Sequence, residues 1–200
     1  MTRHGRIFVD VDTQRDFLDP DGALAIGRAH EIRGNLARLT RFATEHSIPI
    51  IATACDHSPD DEEFQVFPPH CVSGTPGSRR IEETDVAGTR FLRLHERFDG
   101  RPVPHLTIAK TRYDVFHRPD SESIFAAHSD ERRAIFVVYG VATDYCVRCV
   151  VEGLLERGHR VEVVVDAIRA VDPEREAEVL TEFVRRGATS TLTERVCSLH

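Results

Sequence analysis

A chain of 200 residues is long enough to bury a core without covalent staples, and one domain spanning residues 1–200 is expected. Its 26 Lys and Arg stand against 33 Asp and Glu, a net charge of −7 with the signs interspersed. The absence of a basic stripe argues against nucleic-acid binding and favours a small-molecule partner.

In chain order, the segment Met1-Thr-Arg-His-Gly-Arg6 leads straight into an apolar run at 7–11. That run is too short for the core of a secretion signal, and no stretch has the length of a membrane span. A soluble, cytoplasmic protein without membrane partners is expected, with further copies of the same chain as its protein partner. Further apolar runs follow at 48–52, 106–109, 134–139 and 161–165, and a weaker one at 188–192. Short, nearly continuous runs of this kind suit strands covered on both faces of a parallel sheet.

Between the runs lie helical patterns. Ile32, Leu36, Leu39 and Ala43 share one face, Val147, Val150, Val151 and Leu154 a second, and Val179, Leu180, Phe183 and Val184 a third. The last has a clear start, with Asp172 as N-cap and Pro173 at the first helical position. Alternating strands and helices predict a three-layer α/β/α, doubly wound, mainly parallel six-stranded sheet in the order 3-2-1-4-5-6. The stretch 53–90 shows no periodicity, and long irregular loops in compact domains usually carry function.

Ligands of open α/β sheets bind beyond the carboxyl ends of the strands. Asp12 lies just past the first run, Lys110 just past the third, and Cys146 in Gly140-Val-Ala-Thr-Asp-Tyr-Cys146 at a strand-to-helix junction. A helix start favours a thiolate and the oxyanion formed when it attacks a carbonyl. Asp12 is placed to take the Cys146 proton and return it to a leaving amine, and Lys110 to supply positive charge. The five cysteines (Cys55, Cys71, Cys146, Cys149, Cys197) are odd in number and sparse, so thiols, ligands or a nucleophile are expected rather than bridges. Cys146-Val-Arg-Cys149 also has the spacing of a redox pair, a reading that leaves Asp12 and Lys110 without a role.

Four segments resemble the isochorismatase-like cysteine hydrolases, and within them the nicotinamidases. They are Asp12-Thr-Gln-Arg-Asp-Phe17 with Gly22-Ala-Leu24, the stretch Phe67-Pro-Pro-His-Cys-Val-Ser-Gly-Thr-Pro-Gly77, Lys110-Thr-Arg-Tyr-Asp-Val-Phe116, and the turn carrying Cys146. The resemblance implies a catalytic trio of Asp12, Lys110 and Cys146. It implies an oxyanion hole from the backbone N–H groups of Ala142 and Cys146, beyond a cis peptide between Val141 and Ala142. It also implies a substrate ring sandwiched by Phe17 and Phe67, next to Val141 and Ala142.

The family's metal ligands are an aspartate and three histidines, where this chain reads Cys55, His57, Asp61 and His70. All four are competent ligand types for a divalent ion such as Zn²⁺, with Asp56 or Glu63 as substitutes, and no organic cofactor is expected. The activity implied is hydrolysis of nicotinamide to nicotinate and ammonia through a thioester, a step in NAD salvage. The alternatives are a related amidase acting on another small amide or a ureido or carbamoyl compound, and a non-catalytic binding module on the same fold.

Overall fold

The computed structural model describes residues 5–129 and 134–198, so Met1–His4 of the N-terminal segment lie outside it. Seven strands form one sheet: β1 (Arg6–Val11), β2 (Ile50–Cys55), β3 (Arg90–Leu92), β4 (His105–Lys110), β5 (Ile135–Val141), β6 (Arg160–Arg169) and β7 (Thr189–Thr191). Their order is β3-β4-β2-β1-β5-β6-β7 and every neighbouring pair is parallel. The six strands expected from the sequence keep their expected order. β3 is an addition at the edge, three residues long with Leu92 alone buried, too short to leave a pattern in the sequence.

Helices α1 (Arg15–Leu18) and α2 (Arg33–Glu45) come first in the chain, and the central strand β1 alternates between two cores. Ile7, Val9 and Val11 pack with Ile124 and Phe125 of α3 (Ser121–His128), Val150, Val151 and Leu154 of α4 (Arg148–Glu156), and Val179 and Phe183 of α5 (Pro173–Arg185). Phe8 faces the other way, onto Leu36, Leu39, Phe42 and Ala43 of the long helix 33–45 and Val196 near the chain's end. Helices therefore cover both faces, which is why the strand residues are apolar without alternation. The α5 start is as expected: the Asp172 side chain accepts from the Glu174 N–H at 3.0 Å, with Pro173 in the first turn. Among the described residues no helix is long and apolar enough to cross a membrane.

Two strands run further than their apolar cores. β2 continues through Thr53, Ala54 and Cys55, small residues buried between β1 and β4, and so carries Cys55 to the sheet's carboxyl edge. β6 goes on to Arg169 after a register shift opposite β5 between Val138 and Gly140.

Gly140 stands in that irregularity, opposite Val11 of β1, with φ +114. A Cβ there would collide with the Val11 carbonyl oxygen, so only glycine lets β5 pass this close before the chain turns toward Cys146. Gly140→Ala should lower stability by at least about 1–3 kcal/mol from backbone strain alone. Urea unfolding measures it, and an unchanged midpoint would show that the close approach is not required.

Candidate active site

Asp12, Lys110 and Cys146 each follow or end a strand, and the order β4-β2-β1-β5 gathers them at one carboxyl edge. Asp12 leaves β1 with φ 48, while its N–H still bonds the Thr53 carbonyl at 3.2 Å. Its carboxylate is fully buried, accepting from Thr53 Oγ1 at 2.6 Å and pairing with Lys110 Nζ at 2.7 Å. Lys110, the last residue of β4, also donates to Cys146 Sγ and to Cys55 Sγ, each at 3.3 Å. One ammonium thus serves a carboxylate and two sulfurs, using its full set of three donors. Burial works against the Lys110 charge, but Asp12 and the two sulfurs outweigh it and hold its pKa well above the ordinary lysine value.

Cys146 lies in a π-helical turn, Thr143–Val147, that opens α4 directly after the cis peptide Val141–Ala142. The first N–H groups of such a turn have no partner within it, which makes them donors for an anion. Asp144 in the same turn accepts from the N–H groups of Val171 and Asp172 at 3.0 and 3.1 Å, tying the turn to the start of α5. The hydrogen bond from Cys146 to the Cys55 sulfur, together with burial, pushes the Cys146 thiol well above the usual cysteine pKa. The same bond brings Cys55 down to about 7. Cys146 therefore rests as a thiol, and its use as a nucleophile calls for a base.

The segments flanking this cluster are fixed by polar side chains. The Gln14 amide bonds both backbone groups of Cys55 at 2.8 Å and the Ser78 carbonyl at 2.8 Å. Asp16 accepts from the N–H groups of Cys71 at 2.6 Å and Ala23 at 3.1 Å, and a Cβ at Gly77 would strike its carboxylate. The loop 67–77 is in this way docked on the segment that follows β1. Between them lies a pocket with Asp12, Cys55 and Cys146 on its walls. Phe17, Phe67, Val141 and Ala142 line it too, with Leu24, Ile26, Glu63, His70, Tyr113, Tyr145 and Val171. Phe17 and Phe67 both face the His70 ring, at 5.4 and 6.4 Å between centroids.

Of the four expected metal ligands, the structure brings His57 and His70 together, while Cys55 and Asp61 stand beside His57 but outside the trio of ligand atoms. Cys55 points at Lys110 and Asp12, its sulfur 3.7 Å from the carboxylate. Asp61 bonds His57 Nδ1 at 3.0 Å and so stands behind the ring. The third donor beside the two imidazoles is Glu63, and one ligand atom from each of His57, Glu63 and His70 falls within 4.8 Å of the others. Glu63 comes from a 3₁₀ turn, Glu62–Gln65, whose start is capped by Asp61. Burial works against a charged His57, yet Cys55 and Asp61 beside it prevail and push its pKa up to about 9. Its buried Nε2 makes no hydrogen bond, an orphan that a metal ion would satisfy.

Asp12, Cys55 and Cys146 also lie within 4.8 Å of one another, but the Lys110 ammonium already occupies the cation's place among them. Cys149, on α4, opens instead onto a separate surface groove with Asp114, His117 and Glu152.

Sequence reasoning did not single out Tyr113 or Tyr145 as pocket residues, although both lie inside the quoted motifs. Their rings meet at 5.3 Å between centroids, and Tyr145 also meets Phe67 at 5.8 Å. Leu24 also lies inside a quoted motif, whereas Ile26 and Val171 had no signal beyond apolarity.

A family model described as the isochorismatase domain matches residues 6–195. The nicotinamidase of Escherichia coli is 40% identical over 209 residues, covering 92% of this chain and 93% of its own. Among solved structures, the pyrazinamidase of Pyrococcus horikoshii in complex with zinc has a TM-score of 0.77 at 27% identity, over 94% of this chain and 99% of that one. N-carbamoylsarcosine amidase of Thermoplasma acidophilum has a TM-score of 0.72 at 26% identity, over 94% and 96%. The chain belongs to the isochorismatase-like hydrolases and is nicotinamidase-like within that family.

Proposed function

We propose that this protein is a cysteine amidohydrolase that converts nicotinamide to nicotinate and ammonia through a thioester on Cys146. The observation that carries the reading is the Lys110 ammonium, which bonds both Asp12 and Cys146, two residues on the walls of an apolar, aromatic-lined pocket. Cys146 sulfur attacks the amide carbonyl while its proton passes to Asp12. The carbonyl oxygen takes the negative charge opposite the N–H groups of Ala142 and Cys146. Collapse expels ammonia, protonated by Asp12, since an amide anion would be a far poorer leaving group. Asp12 then deprotonates a water that attacks the thioester, and the departing sulfur recovers its proton.

Phe17 and Phe67, with Val141 and Ala142, hold the flat ring; desolvation by these walls also strengthens the interactions around the reacting carbonyl. His57, His70 and Glu63 are the residues that would hold a divalent ion such as Zn²⁺, a donor set of two imidazoles and a carboxylate suited to it. When bound, the ion offers a coordination point for a ring nitrogen. The chain's own chemistry at Cys146 does not depend on it.

Ammonia release from nicotinamide tests the reading, with an N-carbamoyl amino acid as the competing substrate. A kcat/KM for the carbamoyl compound above that for nicotinamide would transfer the assignment to the other amidases of the fold. The double change His57→Ala, His70→Ala should raise KM for nicotinamide by about tenfold or more, with little change in kcat. Alkylation of Cys146 by iodoacetamide should stay within about twofold, because Asp12 and Lys110 activate the sulfur separately. A fall in kcat at unchanged KM would contradict the substrate-orienting role of these histidines.

A further inference from the structure

Hydrolysis uses one sulfur, yet two stand in the pocket. Cys55 and Cys146 both line it, both lie 3.3 Å from Lys110 Nζ, and their sulfurs are within 4.8 Å of each other. The other cysteines take no part: Cys71 is buried outside the pocket lining, Cys149 opens on another groove, and Cys197 lies near the Arg38 carbonyl. From this juxtaposition we propose that Cys55 and Cys146 form a hydroperoxide-reactive dithiol, closing to a reversible disulfide that protects the nucleophile and switches the site off.

The chemistry needs one thiolate, one thiol and an oxidant small enough to enter. The ammonium stands equally close to both sulfurs, so whichever sulfur loses its proton meets a positive charge at 3.3 Å. That thiolate attacks an oxygen of hydrogen peroxide; the S–O bond forms, the O–O bond breaks, and hydroxide leaves to become water on taking a proton. The product is a sulfenic acid. The second sulfur then attacks the first, forming the S–S bond and breaking S–O. The hydroxide released takes up the thiol's proton as a second water. The two sulfurs together give up two electrons, which the peroxide accepts.

Rotation about the two Cα–Cβ bonds must bring the sulfurs from within 4.8 Å to about 2 Å. Cys55 is the last residue of β2, and Cys146 lies in the turn that opens α4. A disulfide also leaves the Lys110–Asp12 pair intact, so the oxidised site keeps its buried charges compensated.

The test reads sulfur rather than hydrolysis, so its failure is distinct from failure of the amidase reading. The purified protein is treated with stoichiometric hydrogen peroxide, the remaining thiols are blocked, and peptides are mapped without reduction. The expected product is a Cys55–Cys146 cross-link, with both thiols regained on adding dithiothreitol. Cys55→Ser should instead accumulate sulfinic and sulfonic acid on Cys146, which dithiothreitol does not reverse. Over-oxidised Cys146 beside a free Cys55 thiol in the parent would overturn the proposal. A cross-link from Cys146 to Cys149 would overturn it equally, in favour of the C-x-x-C pair.

Discussion

Cys146→Ala should abolish amide hydrolysis while leaving the unfolding transition close to that of the parent. The side chain removed is a single thiol group whose sulfur accepts from Lys110 at 3.3 Å, so the core loses little apolar packing. Lys110 keeps Asp12 and Cys55 as partners, and no buried charge is stranded. Without the sulfur there is no thioester, and the oxyanion donors have nothing to stabilise. A loss of about three orders of magnitude or more in kcat is expected, the scale seen when a member of a catalytic unit is removed. The measurement is steady-state ammonia release beside urea unfolding. Residual activity within about tenfold of the parent would exclude covalent catalysis through Cys146.

Lys110→Met should damage both activity and stability, which separates it from the cysteine change. Methionine fills the volume, but the Asp12 carboxylate is then fully buried with Thr53 as its remaining strong hydrogen-bond donor. Removing one partner of a buried ion pair costs about 3–5 kcal/mol, because the other charge stays without compensation. Adding Asp12→Asn to Lys110→Met removes that stranded charge. The double variant should recover most of the lost stability and none of the activity. If Lys110→Met alone unfolds at the parent's urea midpoint, the ion pair contributes nothing to the fold and its charge serves the site alone.

Much of the architecture was legible because parallel strands covered on both faces must be apolar throughout. The runs at 7–11, 106–109 and 134–139 coincide closely with β1, β4 and β5, and the Asp172-Pro173 start marked α5 to the residue. Where the strand's partners accept small residues, the pattern misled: β2 was expected at 48–52 but runs to Cys55. The helix Ser121–His128 also left no signal, since buried Ile124 and Phe125 are adjacent and its remaining buried positions are Ser121 and His128.

The sequence by itself determined the residue types at the strand ends and their order along the chain. Each apolar run must cross the core and emerge at the edge, so Asp12, Lys110 and Cys146 were placed by the pattern that made the sheet. Tertiary structure alone decided which donors meet, because side-chain contact depends on distances of a few ångströms that spacing does not encode. Asp61 lies four residues from His57, as a ligand would, yet it bonds His57 Nδ1, and Glu63 is the carboxylate that stands with the two histidines. Cys55 occupies the position of an expected metal ligand, but the parallel register that pairs it with Lys110 turns its sulfur to the ammonium and to Cys146. A buried ammonium must find acceptors for its donors, and the second sulfur is the one that the folded sheet put within its reach.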